Sequence, residues 1–189
     1  MNSRELERIL EGGVETQHVD FKAPIEWNVL TFVRHILALS NVQDGGFLIV
    51  GVEQDARGHF VRKGVTPDQS ASYVLDEMRD QISPFADPHV SFRVDCVKDA
   101  GGLEYVVIEV LPFDEVPVIC CKESAKTHVG SIYYRTRDRR VESAPISNSN
   151  DMRDVVERAA IRSWHRLQGL GLAVEPSAKK MLDDELEGL

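Results

Sequence analysis

The stretch Glu15-Thr-Gln-His-Val-Asp20-Phe-Lys22 places two carboxylates, a histidine and a lysine close together, just after the Gly12-Gly13 pair. From Gln17 to Lys22 polar and apolar residues alternate, which is the period of a half-buried strand. On such a strand His18, Asp20 and Lys22 share one face, with Val19 and Phe21 packing on the other. The spacing of Glu15 and Asp20 would point them to opposite faces of an unbroken strand. They converge only if the chain bends, and Gly12-Gly13 makes a bend available where the strand begins. Two close carboxylates repel and desolvate each other, so a cation is expected between them, either a metal or a basic side chain. Beside this stands a plainer reading: a solvated cluster of ion pairs on an outer strand face. Asp20-x-Lys22 also has the acid-x-lysine form of metal nucleases, a pattern too short to be specific.

Working outward, Ser3 to Glu11 reads as a short amphipathic helix. Ser3 is its expected N-cap, Leu6, Ile9 and Leu10 its buried stripe, and Gly12-Gly13 its end. After Pro24 a second helix is expected over about Glu26 to Asn41. Its apolar positions lie nearly all round, as in a central helix. Gly45-Gly46 turns the chain into Phe47-Leu-Ile-Val-Gly51-Val52, a continuous apolar run and so a strand buried on both faces. A turn over Glu53 to Gly58 leads to a return strand, His59 to Lys63. Asp68 to Ile82 reads as a helix ended by Ser83-Pro84. Strands are expected at Val90–Val97, Glu104–Val110, Val116–Cys121 and Ser131–Arg137, and a last helix at Asn150–Gln168. The mixture of hairpins and helices gives an α+β class, with a mixed, largely antiparallel sheet and flanking helices. Residues 1–168 form the expected single domain, and 169–189 a polar, acidic tail.

Composition narrows the function. The chain has 189 residues, 42% of them hydrophobic, enough for a core. It has no apolar run long enough to span a membrane and no secretory signal at its start. Three cysteines, two of them adjacent (Cys120 and Cys121), make neither a disulfide framework nor a zinc site. The expected compartment is the reducing cytoplasm. A net charge of -9 argues mildly against a general nucleic-acid binder. Its distribution is uneven, however: the segment from Lys122 to Arg140 is basic and the stretch from Asp183 to Glu187 acidic. Lys122, Lys126, Arg135, Arg137, Arg139 and Arg140 are candidate phosphate contacts, and Tyr133 or Tyr134 a platform for a base. A solubilising strand face, balanced by Asp138 and Glu142, explains the same residues equally well. Gly45-Gly46 lacks the Gly-Lys-Ser/Thr of a nucleotide-hydrolysing loop and is read as a turn.

With these pieces placed, the chain resembles the Schlafen AlbA-like domain over roughly residues 3–165. Glu15 to Lys22 is similar to that family's opening Glu-x-x-x-Val-Glu-Phe-Lys, with Asp20 for the second Glu. Ile36-Leu-Ala-Leu-Ser-Asn41 with Gly45-Gly46 resembles its Ala-Phe-Ala-Asn-Thr-x-Gly-Gly, with one extra residue before the glycines. Phe47-Leu-Ile-Val-Gly51-Val52-Glu53 resembles its Tyr-Leu-x-Ile-Gly-Val-Asp. Ile82-Ser83-Pro84, Pro117-Val118 and Tyr133-Tyr134-Arg135 also fall in family positions. The resemblance implies a divalent-metal-dependent endoribonuclease acting on structured RNA such as tRNA, with Mg²⁺ or Mn²⁺ held by three acids. Carried over, the ligands are Glu15, Asp20 and an acid from Glu53-Gln54-Asp55. The position matching the third acid lies nearest Gln54.

Alternation along an extended strand places Glu53 and Asp55 on one face and Gln54 on the other. Glu53 is therefore the expected third ligand and Asp55 the second choice. Gly51, on Glu53's side, leaves room for another backbone or a ligand. Lys22 would neutralise charge in the transition state, while His18 is read as a surface residue rather than a proton relay. Members of the family with a zinc site in this core differ from this chain, where none is expected. The alternative is a non-catalytic nucleic-acid-binding or transcription-regulatory module of the same fold. A third reading, from the last helix and tail, is a partner-interaction protein, with room for a homo-oligomer.

Overall fold

The computed structural model describes residues 1–136 and 141–172. Helix α1 spans Ser3–Gly12. Its N-cap is Asn2, one residue earlier than expected: the Asn2 side chain accepts from Glu5 N–H, and the Glu5 carboxylate accepts from Asn2 N–H. Gly13, with φ 58°, ends the helix in the left-handed region. Strand β1 is Val19–Lys22 and helix α2 is Val29–Ser40, capped by Asn28. The expected buried run divides into β2 (Gly46–Val50) and β3 (Val52–Gln54), with the return strand β4 at Phe60–Arg62. The break falls at Gly51, whose φ of 116° few other residues adopt.

The helix expected over Asp68 to Ile82 is two helices, α3 (Pro67–Ala71) and α4 (Leu75–Ile82). The interruption lets Tyr73 turn inward, where its hydroxyl donates to Ile25 O at 2.8 Å. Beyond a 3₁₀ turn lie β5 (Ala86–Asp87), β6 (Phe92–Lys98), β7 (Glu104–Val110) and β8 (Ile119–Cys120). Then follow β9 (Tyr133–Arg135), β10 (Ser143–Pro145) and α5 (Ser149–Gly169). Strand β10 was not expected; it contains Pro145 and is too short to show a period.

The central sheet runs β1-β2-β7-β6, with β1 parallel to β2 and the other pairings antiparallel. Leu48, Val50, Val106 and Ile108 face α2, while Ile49, Val107 and Phe21 face α1. Helices on both faces explain why β2 and β7 read as unbroken apolar runs. Helix α2 is itself covered, by the sheet on one side and the β9–β10 ribbon on the other. That is why its apolar residues lie all round; Phe32, Ile36 and Leu37 are fully buried, each contributing about 2 kcal/mol.

The α2-to-β2 turn is set by close approach. A Cβ on Gly45 would collide with the Val110 carbonyl oxygen, and one on Gly46 with that of His18. Phe47 N–H instead donates to His18 O at 2.7 Å, which brings β1 alongside β2. Asn41, fully buried, ties this corner together: its amide donates to Leu37 O, Val118 O and Tyr133 O and accepts from Val118 N–H. No helix is long and apolar enough to cross a membrane among the described residues.

Candidate nucleic-acid site around Asp20

Glu15 and Asp20 do converge. The bend lies at Thr16–Val19 rather than at Gly12-Gly13. Thr16 N–H donates to Val19 O at 3.0 Å and Val19 N–H returns to Thr16 O at 3.3 Å. This turn folds Glu15 back over β1, where its carboxyl group accepts from Phe21 N–H at 2.9 Å and, when protonated, can donate to the neighbouring Asp20. Burial, then the hydrogen bond and charge of Asp20, push the Glu15 carboxyl up to about 7; Phe21 N–H and Arg135 oppose this only in part. His18 is not part of the cluster. It sits in the turn, with Nδ1 2.9 Å from Gly45 O.

The outer face of β1 is covered rather than solvated: Asp20 is 2% exposed. Three basic side chains surround its carboxylate. Lys22 Nζ lies 2.9 Å from both Oδ1 and Oδ2. His35 Nδ1 lies 2.7 Å and Arg135 Nη1 3.2 Å from Oδ2. Neither of the latter two contacts is aligned as a regular hydrogen bond to Oδ2, which makes this end of Asp20 an ion-pair contact of high charge density. Burial alone would raise the Asp20 carboxyl, but the contact with His35 and the charges of Lys22 and Arg135 outweigh it and hold it well below the usual carboxylate range. Burial lowers the His35 imidazole more than Asp20 raises it, so the formal positive charges come from Lys22 and Arg135.

Arg135, 1% exposed, closes the cluster from β9. Its Nη2 donates to Thr16 O at 2.9 Å and Val19 O at 3.0 Å, its Nε to Thr16 O at 3.2 Å. Ser143 Oγ, from β10, stands 3.0 Å from His35 Nδ1. Sequence reasoning missed His35, Ser143 and Arg34. The signal for His35 was an imidazole beside Arg34 in a helix whose other positions are mostly apolar; Ser143 carried none.

These groups form the floor of a cavity of about 810 Å³, whose walls include Lys22, Arg34, Glu53, Gln54 and Glu142. Arg34 Nε lies 3.4 Å from His35 Nε2, and the guanidinium pairs with no carboxylate among the described residues. Glu53 stands on the wall, as its alternation with Gln54 requires of one of the two, but Gln54 lines the cavity as well. Strand β3 pairs regularly with β4 but ends at Gln54, so the alternation does not carry on to Asp55. The space beside Gly51 is filled by Tyr105 and by the backbone of Gly64. Glu53 Oε2 is 3.9 Å from Lys63 Nζ. Asp55 lies outside the cavity, its Oδ1 accepting from Arg57 N–H and His59 N–H at 2.8 Å each in the β3–β4 turn.

A divalent ion would draw on Glu15, Asp20 and Glu53. Among the described residues no three Asp, Glu, His or Cys side chains are close enough to hold one, and the Asp20 oxygens already face three basic groups. As arranged, the donor set does not fit Mg²⁺ or Mn²⁺, which require several convergent oxygen ligands.

The expected basic strand surface is also redistributed. Arg135 is buried in the cluster, and Tyr133 and Tyr134 are 2% and 1% exposed, leaving no ring face for a base. The Tyr134 hydroxyl instead donates to Asp154 at 3.1 Å and accepts from Gln17 at 2.9 Å. The adjacent tyrosines are both inside because β9 is covered by α2 on one side and α5 on the other. Lys122 lies over the Phe85 ring at 4.9 Å, and Lys126 is exposed, in a loop apart from the cavity. Arg137, Arg139 and Arg140 lie outside the described residues, as does the tail from 173 onward.

The model of the family described as Schlafen, AlbA_2 matches residues 15–144. This chain belongs to the Schlafen AlbA_2 family. The match starts at Glu15 and ends just past Ser143, so it contains the whole Asp20 cluster, while α1 and all of α5 lie outside it. The fold is shared with the N-terminal domain of a putative ATP-dependent DNA helicase RecG-related protein from Nitrosomonas europaea. That structure is 16% identical, with a TM-score of 0.50 over 79% of this chain and 99% of that one. The DIP2311 protein from Corynebacterium diphtheriae is also similar, at 20% identity and a TM-score of 0.47. There the match covers 76% of this chain but only 29% of the other. No curated protein matches the chain.

Proposed function

We propose that this Schlafen AlbA_2 domain is a nucleic-acid-binding module that seats a phosphodiester backbone in the cavity beside Asp20, with structured RNA of the tRNA kind as its ligand. The observation that carries the reading is Arg34. It is a guanidinium on the cavity wall with no carboxylate partner among the described residues, next to the partly exposed Lys22 ammonium. A planar guanidinium can take two phosphate oxygens at once, and the lysine adds a point charge. The Glu15 carboxyl, held near neutrality, removes a full negative charge from the route of an incoming phosphate for part of the time. Four carboxylates, Glu15, Asp20, Glu53 and Glu142, also line the cavity, so the phosphate contact rests on Arg34 rather than on an excess of cations. The metal-dependent endoribonuclease draws support from the convergence of Glu15 and Asp20, but requires a third ligand and a vacated Asp20. The binding module requires neither.

Fluorescence anisotropy with a labelled tRNA, at two salt concentrations, tests the proposal. Salt-sensitive binding is expected, and Arg34→Ala should weaken it roughly 3- to 10-fold and make the salt dependence shallower by about one counterion. Binding unchanged by doubling the salt would remove the phosphate cavity from consideration. The same samples, run on a gel with Mn²⁺, Mg²⁺ or EDTA, separate the two readings. Intact RNA is expected throughout. Scission that needs the metal and vanishes in Glu15→Gln/Asp20→Asn would establish the endoribonuclease instead.

A further inference from the structure

The geometry points to Lys22 as the resident cation of this site: its ammonium stands where a divalent ion would bind and keeps one out. This deepens the reading of the same cavity, but it is a statement about cations and can be tested with no nucleic acid present.

Asp20 and Lys22 are alternate residues of β1 and so rise from the same face. The lysine chain bends back until Nζ is equidistant, at 2.9 Å, from the two oxygens of Asp20. A single cation symmetric between both oxygens occupies the position a bidentate metal ion takes on a carboxylate. The ammonium is held there: the Lys22 side chain is 16% exposed and that of Asp20 3%. The remaining approach to Oδ2 is taken by His35 and Arg135. A carboxylate offers about four lone-pair directions, and these three groups leave little for a further ligand sphere.

Neighbouring carboxylates do not compensate. Glu15 is engaged with Phe21 N–H and Asp20, and Glu53 leans toward Lys63. An added divalent ion would therefore meet the Lys22 ammonium first; with that group gone, Asp20 and Glu15 are left as its two carboxylate donors and water completes the sphere. Lys22 is the member of the set that can leave without collapsing it. Arg135 also clamps the backbone of the Thr16–Val19 turn, and His35 is built into α2, whereas Lys22 makes its ion pair with Asp20 alone.

Calorimetric titration with Mn²⁺ tests this, on wild type, Lys22→Met and Lys22→Met/Asp20→Asn. Wild type is expected to show no saturable uptake up to millimolar Mn²⁺. Lys22→Met should take up one ion at least tenfold more tightly than wild type, and the double variant should lose that uptake. As an independent readout, Mn²⁺ should raise the melting temperature of Lys22→Met and leave that of wild type unchanged. Lys22→Gln, which retains a hydrogen bond to Asp20, is the second variant if Lys22→Met does not fold. Stoichiometric Mn²⁺ binding by wild type that disappears in Glu15→Gln overturns the inference. Uptake by none of the proteins overturns it too, since Lys22 would then not be the group that excludes the ion. Failure of RNA binding in the anisotropy experiment leaves this titration untouched, so the two ideas fail separately.

Discussion

Arg135→Met should cost the domain about 3–5 kcal/mol, the range for removing one partner of a buried ion pair. In a chain of this size that lowers the melting temperature by roughly 6–20 °C. The methionine fills much of the same volume, so the loss is not chiefly one of packing. It comes from the groups left behind. Thr16 O and Val19 O lose their guanidinium donors, and Asp20 loses one of the two formal charges that stabilise it. Arg135→Lys should recover part of the loss, because it restores the charge but not the fork that spans two carbonyls. Urea denaturation of the three proteins is the measurement. A methionine variant within 1 kcal/mol of wild type would show that the clamp contributes little.

Glu15→Gln should do the opposite, and only on one side of neutrality. The Glu15 carboxyl titrates near 7 in the folded domain, against an ordinary value of 4.5. A group whose folded value is raised stabilises fully below the unfolded value, and that contribution is lost as the pH rises through the folded value. The window is therefore about pH 4.5 to 7. Linkage gives a gap of about 3 kcal/mol, which solvent screening of a half-buried side chain reduces to roughly 1–2 kcal/mol. Glutamine stays neutral throughout and still accepts from Phe21 N–H. The variant should match wild type at pH 4.5 and exceed it by that margin at pH 8. Equal differences at both values would mean that Glu15 titrates normally.

Periodicity made much of the fold legible. The alternation at Gln17–Lys22 and the apolar runs of β2 and β7 follow from burial on one or two faces, which leaves a mark on every residue. The same reasoning failed where a single residue changes the rules. Gly51, with its positive φ, divides the expected run into β2 and β3, and the extrapolation to Asp55 fails because β3 already ends at Gln54. Tyr73 divides a helix because its ring belongs in the core. The candidate site was legible only in its first half. Glu15, Asp20 and Lys22 are local to one another, so spacing could bring them together. His35, Arg135 and Ser143 reach Asp20 through tertiary packing, which no local period records. The basic segment misled for a related reason: residue type shows charge but not burial, and Arg135 is a buried structural cation rather than a surface one.

The Arg135 clamp also has a consequence for timing. Its carbonyl partners lie 116 and 119 positions earlier in the chain. A ribosome adding about 5–20 residues per second takes roughly 6–24 s to cover that interval. Throughout it, the Glu15–Lys22 segment has left the peptidyl-transferase centre while its guanidinium has not yet been made. The nascent domain thus carries its two acids unclamped, and the cavity beside Asp20 has no finished floor until β9 emerges from the exit tunnel. The Asp20 cluster is in this way a late feature of synthesis, complete only once β9 is available to it. A half-made copy has Asp20 and Glu15 side by side without the buried guanidinium that the finished fold supplies.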